Sequence, residues 1–206
     1  MIRHRLPEAE WEPLLTSLGY SFGFLIIILG RQQLFTENTL TVILPFLKHR
    51  RAATLANISR LWLVVLVANL AGALIFASVM ARTNAVGPEI RQTMSLIGDA
   101  AMKHDFGTTM LRGVFAGWLV ALMVWLLPFA EQARVIVIIL ITYLIGIGEF
   151  PHVIAGAVEV FYAAAAGHVT FGETIVRYII PTLFGNIIGG VALVATLGHL
   201  QFSAHE

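Results

Sequence analysis

The sequence predicts an all-α fold: a polytopic bundle of membrane helices arranged as an inverted repeat, with two of its helices broken near the middle. Three observations predict it. The chain is 58% hydrophobic and only 12% charged over 206 residues, about half the charged share that a water-exposed domain carries. Its apolar residues are gathered into long continuous blocks, whereas a membrane β-barrel would show short alternating segments. Two of the blocks are interrupted by polar residues, and one sequence offset relates both the interruptions and a second motif.

Taken in order, residues 14–30 form the first apolar block, Arg31, Gln32 and Gln33 interrupt it, and residues 34–47 resume it. Residues 61–81 form an uninterrupted span. Between 82 and 112 lies the longest polar stretch; Gly87-Pro88 opens it, and Ile90, Met94, Ile97 and Ala101 recur at helical spacing. That pattern predicts a short amphipathic connecting helix near the interface. Residues 113–130 make the next span. Residues 135–148 are apolar, Glu149-Phe150-Pro151-His152 interrupts, and 153–166 resume; residues 178–197 close the series. The whole, 1–206, reads as one transmembrane domain of five crossings, with a first repeat over 14–81, a connector over 82–112 and a second repeat over 113–200.

Charge and composition exclude several classes. A net charge of +1 leaves no footprint for nucleic acid, and the absence of cysteine removes disulfides, thiolate catalysis and cysteine-bound zinc. No cofactor and no metal are expected. Residues 1–13 mix Arg, Glu and Pro without a short apolar run and cleavage site, so no signal peptide is expected. Lys48, Arg50 and Arg51 crowd the short loop between the first two spans with no acidic neighbour, which places that loop, and after five crossings the C-terminus, in the cytoplasm.

The repeat rests on Ala68-Asn69-Leu70-Ala71-Gly72 and Gly185-Asn186-Ile187-Ile188-Gly189, which stand 117 residues apart. The same shift carries Arg31 to Gly148 and Phe35 to His152, from one break to the other. A unit of three spans makes the second copy inverted in the membrane, as in many transporters. The first unit shows only two, so a span before residue 1 is expected to be missing, through truncation or a misplaced start. Backbone left unpaired in hydrocarbon is tolerated only inside protein or beside water. Two symmetric breaks therefore point to a pathway, with Glu37, Asn38, Glu149 and His152 as its ionisable and polar groups. Glu159 is a partner of a neighbouring helix in this reading, and Arg31 either snorkels or caps a half-helix C-terminus. The four-residue spacings Gly19/Gly23, Ala68/Gly72, Gly113/Gly117 and Gly185/Gly189 predict close helix packing, with Asn69 and Asn186 beside them.

Leu34-Phe35-Thr36-Glu37-Asn38 resembles the Leu-Phe-Thr loop of the formate/nitrite transporter family, and Gly148-Glu149-Phe150-Pro151-His152-Val153-Ile154-Ala155 resembles its second break. The stretch 179–190, with Pro181, Gly185, Asn186 and Gly189, is similar to the family's last span, and Gly113–Val120 to the span that opens its second repeat. The resemblance implies an aquaporin-like protomer of six spans, a homopentamer in the inner (plasma) membrane, and a pore in each protomer for small monovalent anions or their acids, such as formate or nitrite. It implies that Leu34, Phe35 and Thr36 constrict the pore beside Phe150, that His152 is the central histidine, and that Lys103 belongs to a basic vestibule. Where the family often has Glu before the histidine this chain has Pro151, and Gly117 and Gly156 stand where it commonly has Asn. The resemblance therefore implies a less polar pore than that of the formate channels, in a less characterised branch.

Three other readings compete. An aquaglyceroporin-like channel for neutral solutes would carry Asn-Pro-Ala at both breaks, and neither does. An intramembrane enzyme would need a nucleophile or metal motif that the chain lacks. A non-functional truncated fragment is the third.

Overall fold

The computed structural model describes residues 9–36, 38 and 52–203, and for 52, 53 and 194–203 the backbone alone. It is helical among these residues. The elements are α1 (Glu12–Leu29), α2 (Ala52–Arg82), α3 (Pro88–Ala101), α4 (Phe106–Leu126) with a 3-10 turn over Leu127–Phe129, α5 (Arg134–Ile147), α6 (Val153–Ala165), the single turn α7 (Phe171–Thr174), a π-helical turn (Ile175–Ile179) and α8 (Ile180–Ser203). Four stretches are long and apolar enough to cross a membrane: Glu12–Leu29, Thr54–Arg82, Phe106–Phe129 and Phe171–Leu193. α5 and α6 have 14 and 13 residues. At 1.5 Å per residue each covers about 20 Å, so the pair makes one crossing end to end.

The surface is what a lipid solvent requires. Large apolar side chains point outward along the spans, among them Phe22, Ile26, Leu63, Ile75, Leu140, Val176 and Phe184, whereas Thr109, Thr142, Thr182 and Asn186 are buried. Spans that turn large apolar side chains outward around buried hydroxyls and an amide suit an exterior of hydrocarbon. The chain is a polytopic membrane protein.

α4 runs beside α8, α1 against α5, and α2 against α6. The α4–α8 contact is made by the glycines the sequence singled out. A Cβ on Gly117 would overlap the Asn186 backbone, one on Gly185 would overlap Met110 O, and one on Gly189 would overlap Val114 O. A Cβ on Gly113 would be in tight contact without overlap, 3.3 Å from Thr182 O and 3.4 Å from Gly185 Cα. Gly19, Gly23 and Gly72 behave otherwise: nothing among the described residues lies within 4 Å of a Cβ placed on them. α1 and α5 run antiparallel, with Ser17 beside Gly146 and the Ser21 hydroxyl donating to Ile139 O at 3.3 Å.

The predicted connector is α3, begun by Gly87 and Pro88 as expected. It lies on α6: Gly98 is pressed against the Glu159 carbonyl, and the Tyr162 hydroxyl donates to Arg91 O at 3.1 Å. His168 pairs with Asp99 at 3.0 Å, and Arg177 donates to Met102 O at 3.2 Å, closing the end of α3.

Candidate functional site: two helix breaks meeting at a histidine

Both breaks are present, and they are the same structure built twice. After α1, Gly30 N donates to Ile26 O, Arg31 N to Ile28 O and Gln32 N to Ile27 O. After α5, Gly148 N donates to Leu144 O, Glu149 N to Gly146 O and Phe150 N to Ile145 O. The turn at each break is made by a residue in the left-handed region, Arg31 at φ 52° and Glu149 at φ 48°. These conformations are uncommon for side-chain-bearing residues and mark a chain held against its preference.

An asparagine then restarts the helix. Asn69 Oδ1 accepts from Phe35 N at 3.1 Å while its amide donates to Gln33 O at 3.2 Å. Asn186 Oδ1 accepts from Val153 N at 2.9 Å while its amide donates to Pro151 O at 3.0 Å and Gly113 O at 2.9 Å. One side chain thus satisfies donor and acceptor groups that the break would strand in an apolar interior. The equivalence corrects the register of the repeat by one residue. Phe35 matches Val153 and Leu34 matches His152, because the path from break to asparagine is one residue shorter in the second half.

His152 sits where the two breaks meet, 2% exposed. Its Nδ1 accepts from Ala155 N at 3.3 Å, so the side chain caps α6. An Nδ1 used as an acceptor carries no proton. The neutral ring therefore holds its hydrogen on Nε2, which faces the Thr36 hydroxyl in a short hydrogen bond. Phe24 meets the imidazole edge-on at 5.3 Å. Leu34, Phe35 and Thr36 are all buried beside it, Phe35 against Trp62 at 6.1 Å. Asn38 turns inward to its own loop, its amide donating to Gln33 Oε1 and Leu34 O, while its carbonyl accepts from Trp62 Nε1. Glu37 lies outside the described residues.

Beside His152 is a cavity of about 200 Å³ whose lining includes Tyr20, Arg112, Glu149, His152, Glu159 and Tyr178. A second cavity, of about 460 Å³, has a lining that includes Arg31, Gln32, Asn38, Val124, Leu127 and Arg134. Arg112 and Val124 lie twelve residues apart on α4, about 18 Å along its axis. The two cavities therefore lie toward opposite ends of that helix. Leu34, Phe35, Thr36 and Phe24 line neither.

Arg112 covers a half-helix C-terminus: its guanidinium donates to Gly148 O at 3.1 Å and Glu149 O at 3.0 Å. Phe150 stacks on Phe115 at 5.4 Å and borders the first cavity. Lys103 is exposed, and its neighbour His104 lines that cavity in its stead. Phe24, Tyr20, Arg112 and Tyr178 were not singled out from sequence. Each is one apolar-block or loop residue among many, and only the approach of separate helices gathers them.

The family model described as "Formate/nitrite transporter" matches residues 1–200. The chain belongs to the formate/nitrite transporter family. It is 39% identical over 188 residues to the Inner membrane protein YfdC of Escherichia coli (strain K12), covering 91% of this chain and 61% of that protein's length. It is 26% identical over 210 residues to the Formate channel BtFdhC of Bacillus thuringiensis, covering 98% of this chain and 77% of that one. Among solved structures, a pentameric formate channel with formate bound superposes with a TM-score of 0.82 at 23% identity, over 98% of this chain and 88% of that one. That likeness carries the fold.

Proposed function

We propose that the chain forms a pore for small monovalent anions or their conjugate acids, formate and nitrite being the type, with His152 at its centre. The observation that carries this reading is the meeting of two symmetry-related helix breaks at one buried polar pair, His152 and Thr36, with cavities toward opposite ends of α4. A helix gives up backbone hydrogen bonds at such a depth only inside protein or beside water, and symmetry-related pairs of broken helices form the solute sites of many transporters.

In this mechanism an anion enters the vestibule beside Arg112 and His104. The His152 Nε2–H, already aimed into the path, transfers its hydrogen bond from Thr36 to the anion. Beyond it the wall is Leu34, Phe35 and Phe24, and a bare charge there would pay a large desolvation cost. The anion takes up a proton from the vestibule water and crosses as the neutral acid, so one proton accompanies each anion. Uptake then rises as the pH on the vestibule side falls. By resemblance to the pentameric neighbour the protomers assemble as homopentamers, one pore in each. By resemblance to YfdC the site of action is the inner (plasma) membrane, and the Lys48–Arg51 loop puts the C-terminus in the cytoplasm.

The test is formate and nitrite flux into proteoliposomes, with His152→Phe as the variant. The expected result is flux lowered about a hundredfold across the pH range, the order expected for removing a preorganised donor. Unchanged flux would take His152 out of the mechanism. Glycerol or water flux without anion flux would replace the reading with a neutral-solute channel.

A further inference from the structure

The first cavity contains a feature that the His152 plug does not use. Tyr178 lies in the π-helical turn Ile175–Ile179 between α7 and α8. A π-turn inserts one extra residue into a helix and rotates the side chains that follow, and such turns recur at functional positions. Here the rotation lays the Tyr178 phenol on the α6 backbone at Gly156. The hydroxyl occupies the place a Cβ of that residue would take, so only glycine admits it. Gly156 N donates to His152 O at 2.8 Å, which sets this contact one helical turn beyond the histidine. Tyr178, Gly156, Glu159 and Tyr20 all border the same cavity as His152. Tyr178 is only 4% exposed, and the buried Tyr20 hydroxyl has no hydrogen-bond partner among the described residues. The approach to His152 is thus collared by two phenols, one fixed against a glycine and the other a donor still to be satisfied.

We propose that Tyr178 is a specificity-determining residue of the pore. Its phenol, seated on Gly156, narrows the vestibule around the solute, admits planar one-centre anions of formate size and turns away those bearing a methyl or larger substituent. The collar supplies neutral O–H donors, so the solute is held by hydrogen bonds while it exchanges its vestibule contacts for the His152 Nε2–H. This inference rests on the transport reading above, and its test separates the two.

The measurement is the ratio of acetate to formate flux in proteoliposomes of the full chain, for wild type, Tyr178→Leu, Tyr178→Phe, Gly156→Ala and the double variant Gly156→Ala/Tyr178→Leu. Excluding one methyl from a shaped pocket is worth about 10-fold or more. Tyr178→Leu is therefore expected to raise the ratio about tenfold, and Tyr178→Phe, which keeps the ring and removes one oxygen, about threefold. Gly156→Ala drives the ring into the vestibule and lowers formate flux about tenfold, and the double variant recovers it, because the two changes act through one contact. A ratio unchanged in both Tyr178 variants overturns the proposal, as does a Gly156→Ala loss that Tyr178→Leu fails to recover. If the leucine variants do not give a monodisperse protein in detergent, the ratio in Tyr178→Phe decides. Absence of anion flux in wild type overturns the transport reading and the proposal together, whereas robust formate flux with an unmoved ratio overturns the proposal alone.

Discussion

The two helix breaks share a backbone and differ in everything attached to it. Each has a left-handed turn residue and an asparagine that restarts the helix. The second break is held by more of the protein: Asn186 is fully buried and reaches a third group, Gly113 O, and Arg112 covers the carbonyls of the half-helix end. Among the described residues, none covers the first on the side that corresponds to α4. Asn69 is partly exposed and bonds Phe35 N and Gln33 O within its own break, and no described residue lies on Gly72, whose counterpart Gly189 is jammed against α4. The position that carries His152 in the second half carries Leu34 in the first. Duplication thus supplies a scaffold that stops two helices at the same depth. The chemistry of the pore comes from where the copies diverge, a polar ring facing an apolar plug.

The sharpest way to break this comparison is to remove the two asparagines. Asn186→Leu strands Val153 N, Pro151 O and Gly113 O in an apolar interior, at about 1–3 kcal/mol per unpaired group. We expect a loss of about 4 kcal/mol in detergent unfolding experiments. Asn69→Leu strands two groups at a wetter place and should cost about half as much. Equal losses would mean that the two breaks are held equally and that the enclosure of the second is immaterial. The glycines give the next contrast. Gly189→Leu must part α4 from α8, an overpacking cost of about 3 kcal/mol. Gly72→Leu enters open space and should change the melting temperature by little. Arg112→Leu is a smaller perturbation, expected at about 1–2 kcal/mol for a cation lost from a half-helix C-terminus. It should lower anion flux as well, since the same guanidinium borders the vestibule.

The fold was legible because its signals are local and repeated. Apolar blocks gave the spans, and Glu149-Phe150-Pro151-His152 and Arg31-Gln32-Gln33 gave the breaks within a residue or two. The small-Asn-x-x-Gly pairs gave the asparagines that hold them, although a one-residue difference in path length hid the true pairing of Leu34 with His152. The site was legible only where it coincides with a break. Tyr20, Phe24 and Tyr178 look like ordinary lipid-facing or packing aromatics in sequence, and their role depends on which face of a helix meets α6. Tyr178 was the least readable, because the π-turn that aims it breaks the 3.6-residue periodicity from which helix faces are inferred. Arg112 was not readable because a cap from another helix leaves no spacing signature.

The smallest effect concerns how the halves begin. α1 starts at Trp11 with no side-chain cap, whereas the helices of the second half carry their own start signals: Asp105 accepts from Thr108 N at 3.0 Å, and Thr170 with Glu173 closes a capping box at the head of α7. The hydrogen bonds from Thr108 N and Oγ1 hold the carboxyl of Asp105, which precedes its span, below its ordinary value of 3.8. A carboxyl depressed in the folded state contributes stability that is complete above its unfolded pKa and disappears as pH falls through the folded one. Acidification from pH 5 toward the region below 3.8 should therefore lower the melting temperature slightly, and Asp105→Asn should remove part of that slope while leaving the plateau at neutral pH nearly intact, because the amide still accepts from the backbone. Asp105 is exposed, so added salt should shrink the slope further. A pH slope that survives undiminished in Asp105→Asn would place the acid-sensitive groups elsewhere, and the capped start of α4 would then contribute geometry without measurable electrostatics.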